Sequence, residues 1–405
     1  MKTTLQISDR LGQNSFADTL SHRLWSLESV TLCAQARRRT GLEDFGTPAI
    51  EPALSLLTNS LEREAKLHPL GRFLMRIHLQ GLLETRLRLA EIWSRNPGAR
   101  DDSPVRRPIF ITGMPRSGST FLHELLAEDP AHRAPRVWEV MYPVSAADPN
   151  RQLRERQVWR AAACLWWFRR LAPRADAVYP MRARTPHECV AIHSYTLLSE
   201  EFVSSCRIPG YEAFLRSSDL RPAYLWQRRF LQHLQQGQPE KAWLLKSPDH
   251  VHGLDALFTV FPDALVIQTH RNPSEVIRSS VQLNEVLQGL FARPGDHNRL
   301  VEREVRVLAA AMGRFIRFRD AHPELADRFL DVNYRELVTD PLAVVRRVYQ
   351  RFEMPLPETV ARRMRELARH RGRYRAAPTL ASVGPHILAQ KMCFHNYCQR
   401  FGITY

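Results

Sequence analysis

The sequence predicts an α/β fold: a parallel sheet flanked by helices, with a helical extension at the N-terminus and a helical insertion in the middle. Three observations lead there. From Pro108 onward, short apolar runs recur as PIFIT (108–112), AWLLK (242–246), ALVIQTH (264–270) and RFLDVNY (328–334), each followed by a turn and an amphipathic stretch. Runs that are apolar throughout suit strands covered on both faces, and right-handed helical crossovers provide that cover in a parallel sheet. Upstream, residues 15 to 96 carry Leu56, Leu57 and Leu61, then Leu82, Leu83, Leu87 and Leu89, at roughly helical spacing among Arg and Glu. Residues 151 to 240 show no clear strand and hold the aromatic cluster Trp159, Trp166, Trp167 and Phe168, which reads as a mostly helical insertion shaping a pocket. The polar, breaker-rich stretch NPGARDDSPVRRP (96–108) marks the junction, so the expected division is a helical region over 1–105 and an α/β domain over 106–405.

At 405 residues, 44% apolar and 25% charged, the chain has an ordinary globular balance, which excludes collagen-like and disordered classes. The formal charge of +16 suits nucleic acid, acidic lipid or an anionic nucleotide. Only Lys2, Lys66, Lys241, Lys246 and Lys391 are lysines among 58 basic residues. The arginines are scattered, which argues for coding bias over a nucleic-acid footprint and makes a well-placed lysine informative. Six widely spread cysteines form no C-x-x-C pair and no metal-ligand spacing, consistent with a reduced cytoplasm. The N-terminus lacks an apolar targeting core, and the longest apolar run, around 161–168, is too short for a bilayer, so neither export nor membrane anchoring is expected.

The strand PIFIT runs directly into Gly113-Met114-Pro115-Arg116-Ser117-Gly118-Ser119-Thr120 and then the helical FLHELLAEDP. A strand, a tight loop and a helix N-terminus aim free backbone N–H groups and the positive dipole end at one point, where an anion settles. Gly113 and Gly118 permit the turn, Ser117, Ser119 and Thr120 add hydroxyls, and Arg116 adds charge, with Pro115 completing the loop. The fold is therefore of P-loop type, yet Ser119 stands where a nucleoside triphosphatase keeps lysine. The charge has moved to Arg116, which suits a single 5′-phosphate bearing a leaving-group bridge.

A second anion site follows the strand ALVIQTH. Arg271 closes that strand, Asn272 is a natural N-cap, Pro273 takes the first helical position and Glu275 completes a capping-box pattern. Ser279 lies about two turns further, on the face of the helix start, so a guanidinium and a hydroxyl can share one phosphate.

With both sites in hand, the chain resembles the PAPS-dependent sulfotransferases, which use 3′-phosphoadenosine-5′-phosphosulfate, and specifically the bacterial type related to tyrosylprotein sulfotransferases. PRSGST resembles that family's 5′-phosphosulfate loop, with Arg116 at the basic position, and HRNPSEVIRSS resembles its 3′-phosphate site, with Arg271 and Ser279 eight apart. LLKSPDH places Lys246 where members keep a lysine near the bridging oxygen, and VNYRELVTDP resembles the segment whose tyrosine, here Tyr334, lies near the adenine in that family. RGRYRAAPTLASVG is a looser echo of a stretch closing over the 3′-phosphate, offering Arg373 and Tyr374, and TGLEDFG and LGR are reminiscent of the bacterial group. The resemblance implies a cytoplasmic enzyme using PAPS, with no metal, acting on a hydroxyl or amine of a small-molecule, lipid or carbohydrate acceptor held by the insertion.

Sulfuryl transfer leaves negative charge on the departing 5′-phosphate, so Lys246 and Arg116 are the expected charge stabilisers. A general base must take the acceptor proton. His250 is the first choice, four residues after Lys246 in a helix start set by Ser247-Pro248, with Glu139 and Glu188 as rivals; His187 and His193 read as ordinary pocket or core residues. Two other readings stay open. One is a small-molecule kinase using ATP, for which Asp331 could mimic a metal-binding acid; the other is a basic module binding nucleic acid or another polyanion.

Overall fold

Among the described residues, one sheet of five parallel strands organises the chain: β1 Ile109–Gly113, β2 His132–Arg133, β3 Ala242–Lys246, β4 Leu265–His270 and β5 Phe329–Asn333, in the spatial order β2-β3-β1-β4-β5. The structure, a computed structural model, describes residues 15–95, 104–237, 241–371 and 392–404. The four runs read as strands in the sequence are strands; β2 was not foreseen, because two residues pairing with Ala242 and Trp243 carry no periodicity. β1 and β4 are buried at every position, in keeping with cover on both faces.

Side chains alternate across the sheet with the period of two that strands impose. Ile109, Ile111, Leu244 and Ile267 point to one apolar layer, shared with Leu122 and Leu125 of the Ser119–Leu126 helix and Val345 of the Pro341–Arg351 helix. Phe110, Trp243, Leu245 and Val266 point to the other, larger layer. That layer continues without a break into Leu32, Leu54, Leu79 and Leu83 of the N-terminal helices Ser29–Thr40, Ala53–Arg63 and Pro69–Arg95, and into helices of the 151–240 stretch. Among the described residues that stretch is helical, with Arg151–Leu171, Pro209–Ser217 and Arg221–Gln235 as its longest elements.

A buried arginine fastens these parts together. Arg86 donates to the carbonyls of Phe45 (2.9 Å), Tyr195 (2.6 Å) and Pro48, and its guanidinium lies 4.2 Å from the Trp226 ring centroid. Burial pulls its pKa down to about 9, yet the cation is surrounded by the acceptors that a buried guanidinium requires.

β1 is the central strand. After β1 the chain passes to the edge strand β2 on one side, whereas after β4 it passes to β5 on the other. Such a divergence opens a crevice at the carboxyl ends of the strands, where sheets of this type bind ligands.

Candidate active site

The loop after β1 has a shape that its residues enforce. Gly113 has φ +135°, and a Cβ there would lie 2.4 Å from the Thr269 carbonyl oxygen of β4. Gly118 has φ +91°, and a Cβ would meet the Tyr334 ring at 2.9 Å. Between them Arg116 holds a left-handed φ of +64°, a conformation that side-chain-bearing residues adopt at a cost and that marks functional turns. The helix Ser119–Leu126 begins at once, so its unpaired N–H groups stand at the crevice as expected. Ser117 departs from expectation. It is fully buried, bonding the Met114 carbonyl and, at 2.6 Å, the Thr269 hydroxyl, so its side chain ties the loop to β4 instead of facing a ligand.

The two anion cradles read from sequence adjoin. Arg116 Nε donates to Ser279 Oγ at 3.0 Å, and Arg271 Nη1 donates to the Arg116 carbonyl at 2.8 Å. The Arg271 guanidinium stacks over Tyr334 at 4.1 Å and bonds Glu275 Oε2 at 2.8 Å. Asn272 caps the Pro273–Gln288 helix, accepting from the N–H groups of Ser274 (2.9 Å) and Glu275 (3.4 Å). The Glu275 carboxylate, expected to complete a capping box, goes to Arg271, because a full positive charge is the stronger partner. Tyr334 thus supports an arginine, a contact that the sequence did not announce.

Lys246 closes β3 with its ammonium pointing into the crevice. It donates to Thr120 Oγ1 at 3.1 Å and pairs with Glu188, whose Oε1 also accepts from the Tyr179 hydroxyl at 2.9 Å. Burial alone would push the Glu188 carboxyl up, but the Lys246 charge and hydrogen bond, with the Tyr179 hydroxyl, hold it below its ordinary value. Glu188 is therefore a carboxylate. Burial, reinforced by that carboxylate, pushes the Tyr179 phenol well up, so it stays protonated and donating.

His250 and Glu139 are not where a base is needed. The segment after Lys246 is a 3-10 turn, Pro248–His252, and not the α-turn expected. The tighter winding sends His250 into the core with 0% exposure, against Phe110 and hydrogen-bonded to the Tyr224 hydroxyl at 2.9 Å. Burial, then the neighbouring His193 and Lys246 charges, push its pKa well down, so it is neutral and structural. Asp249 takes the crevice-facing place, with Ser247 donating to it at 3.0 Å. Burial and the charges of Glu200 and Glu188 push its carboxyl well up. The adjacent position in KSPDH was the available signal, and it needed the turn type to be read. Glu139 caps its own short helix, accepting the Arg136 N–H at 2.8 Å and pairing with Arg133 at 3.5 Å. Asp331 sits between His270 (2.9 Å) and Arg319 (2.8 Å) as a structural anion, which removes the acid that a kinase reading required. Arg373 and Tyr374 lie outside the described residues.

One cavity of about 3030 Å³ joins these groups. Pro115, Arg116, Gly118, Ser119 and Thr120 line its polar end with Lys246, Glu188, Arg271, Ser279 and Tyr334. Elsewhere its lining combines apolar side chains, Met141, Phe168, Leu283, Leu287, Leu290 and Leu308, with charged ones, among them Glu200, Arg216, Arg303 and Glu304. Of the predicted aromatic cluster only Phe168 reaches it; Trp159, Trp166 and Trp167 point to solvent.

Comparison with known proteins accords with this geometry. The model of the sulfotransferase family matches residues 108–358. The chain is 30% identical to the sulfotransferase STF1 of Mycobacterium tuberculosis, superposing with a TM-score of 0.77 over 91% of this chain and 98% of that one. The sulfotransferase STF9 of Mycobacterium avium is 26% identical, with a TM-score of 0.78 over 93% and 97%. Over 276 residues the chain is 28% identical to the omega-hydroxy-beta-dihydromenaquinone-9 sulfotransferase Stf3 of Mycobacterium bovis, a match spanning 62% of this chain and 65% of that relative's length.

Proposed function

The chain belongs to the sulfotransferase family, and from that premise we propose that it moves a sulfuryl group from PAPS to a hydroxyl on an extended, largely apolar acceptor of the lipid kind. The observation that carries the reading is one cavity whose lining joins a doubled anion cradle to many apolar side chains. Its volume is several times the roughly 300–1,000 Å³ of an ordinary small-ligand site, which leaves room for a bulky acceptor beside a nucleotide. The relative named for omega-hydroxy-beta-dihydromenaquinone-9 points to the same acceptor chemistry. In this reading the sheet is the donor platform, and the helices Pro273–Gln288 and His297–Ala321, with the 151–240 insertion, build the acceptor chamber.

The contacts of each residue support one task in this reading. Arg271 and Ser279 hold the 3′-phosphate, and the 113–120 loop with its helix N-terminus holds the 5′-phosphate. Lys246 and Arg116 stabilise the negative charge that builds on the leaving phosphate. Glu188 takes the acceptor proton. While Lys246 pairs with it, Glu188 is a weak base; drawing Lys246 toward the donor's anion removes that cation, so burial raises the Glu188 pKa and strengthens it as a base.

Calorimetry with 3′,5′-adenosine bisphosphate tests the reading. Binding should be independent of metal, and Arg271→Ala should weaken it by about 100-fold, the loss of a charge-assisted phosphate contact, while leaving adenosine 5′-phosphate affinity nearly unchanged. Preference for ATP with magnesium, or indifference to Arg271→Ala, would overturn it.

A further inference from the structure

The helix Arg151–Leu171 has two faces, and only one of them is explained by packing. Val158, Ala161 and Leu165 are buried, one helical turn apart, while Trp159, Trp166 and Trp167 are 75%, 44% and 61% exposed on the other side. Large aromatic side chains are rarely left in water as a contiguous stripe, since their removal from it is favourable. Arginines interleave with them. Arg156, Arg160 and Arg170 are exposed on the same side, Arg170 sits 5.3 Å from the Trp166 ring centroid, and Trp166 and Trp167 meet edge to face at 4.9 Å. The whole helix carries six arginines against a single acid, Glu155, which is itself paired with Arg184 at 2.5 Å.

The same helix forms part of the cavity wall. Cys164, Leu165 and Phe168 line the chamber, so the outward tryptophans and the inward chamber residues alternate along one element. A second such element exists. On the Pro69–Arg95 helix Leu70 lines the cavity, and Leu70, Phe73 and Ile77 form an exposed apolar stripe at helical spacing.

We propose that the tryptophan–arginine face of the Arg151–Leu171 helix docks on an anionic lipid bilayer, placing the acceptor chamber against the membrane so that an acceptor passes into it without crossing water. This rests on the lipid-acceptor reading above. Tryptophan and arginine together are the side chains that an interface of acyl chain and anionic headgroup accommodates, the ring at the boundary and the guanidinium on phosphate. A protein partner or a second copy of the chain would need no such concentration of unopposed positive charge. Among the described residues no helix is long and apolar enough to cross a membrane, so attachment through this face is peripheral and reversible.

Co-sedimentation of the full chain with vesicles tests the inference, using phosphatidylcholine alone and an equimolar mixture with phosphatidylglycerol. The anionic vesicles should bind at least about tenfold more tightly, less so at high salt, with a blue shift of tryptophan emission. The variant carrying Trp159→Ala, Trp166→Ala and Trp167→Ala should lose about tenfold in vesicle affinity, keep its calorimetric affinity for 3′,5′-adenosine bisphosphate, and raise KM for a vesicle-borne long-chain alcohol but not for a detergent-dispersed one. Vesicle binding that ignores lipid charge, or that the triple variant retains, overturns the docking face. So does a shift of the free chain from oligomer to monomer in the variant, which would make the stripe a self-association surface. Normal sulfation of a detergent-dispersed alcohol with no vesicle binding sinks the docking alone; intact vesicle binding with no sulfated lipid from any alcohol sinks the acceptor reading alone.

Discussion

The two ends of the cavity are built by different rules. At the donor end, the residues that hold charge sit at strand ends and helix starts, in short segments around Arg116, Lys246 and Arg271 that neighbouring parallel strands set side by side. At the acceptor end, the wall is drawn from helices far apart in the chain, with Met141, Phe168, Leu287 and Leu308 brought together only by packing. The contrast shows that each basic loop and helix start depends on local geometry, whereas the apolar lining is a by-product of how helices stack. Single substitutions should therefore act steeply at the first end and gradually at the second.

The largest effect is expected at Lys246. Lys246→Ala should lower kcat by about 10²–10³-fold, as for loss of one preorganised charge stabiliser, with bisphosphate affinity nearly preserved. Single-turnover transfer separates the two, and a loss confined to affinity would blur the contrast by making Lys246 a binding residue. Next comes Arg86, on the acceptor side but holding the scaffold. Arg86→Met strands several buried carbonyls and should reduce unfolding free energy by about 3 kcal/mol in urea, while the folded fraction binds bisphosphate normally.

A smaller effect tests the chamber. Phe168→Ala should raise KM for a long-chain acceptor by about tenfold, as loss of one half-buried aromatic wall contact predicts, and leave kcat within about twofold. A large fall in kcat would mean that the apolar wall positions the reacting hydroxyl as tightly as the loop positions the donor. The smallest effect concerns pH. Burial, aided by Glu200 and Glu188, lifts the Asp249 pKa in the folded chain well above the 3.8 of an ordinary aspartate. The folded chain thus keeps a proton that the unfolded chain releases, so its contribution to stability is full below that ordinary value and is lost as pH rises through the folded pKa. Asp249→Asn should flatten this decline in Tm on the alkaline side, and a wild-type Tm without any such decline would show Asp249 to be ionised and paired.

Most of the donor end was legible because its signals are local. Pro115 to Thr120, Asn272-Pro273 and the lysine closing AWLLK announce a turn, a cap and a strand end by residue type alone. Ser117 was misjudged for a non-local reason: its hydroxyl meets Thr269, 152 residues away. His250 failed on one detail of winding, since a 3-10 turn rotates successive side chains differently from an α-turn and exchanges the places of His250 and Asp249. Glu188 was named as a rival, yet its partnership with Lys246 and Tyr179 joins three segments that no spacing relates.

The alternation of strand and helix, the glycine-bounded loop after β1 and the start of the helix behind it were legible in the chain, because they follow from backbone sterics, capping and periodicity within a dozen residues. Packing settled which side chains face the cavity, how large that cavity is, and that Trp159, Trp166 and Trp167 look outward while Phe168 looks in. Those outcomes depend on how distant surfaces exclude water from one another, and no single segment contains both surfaces.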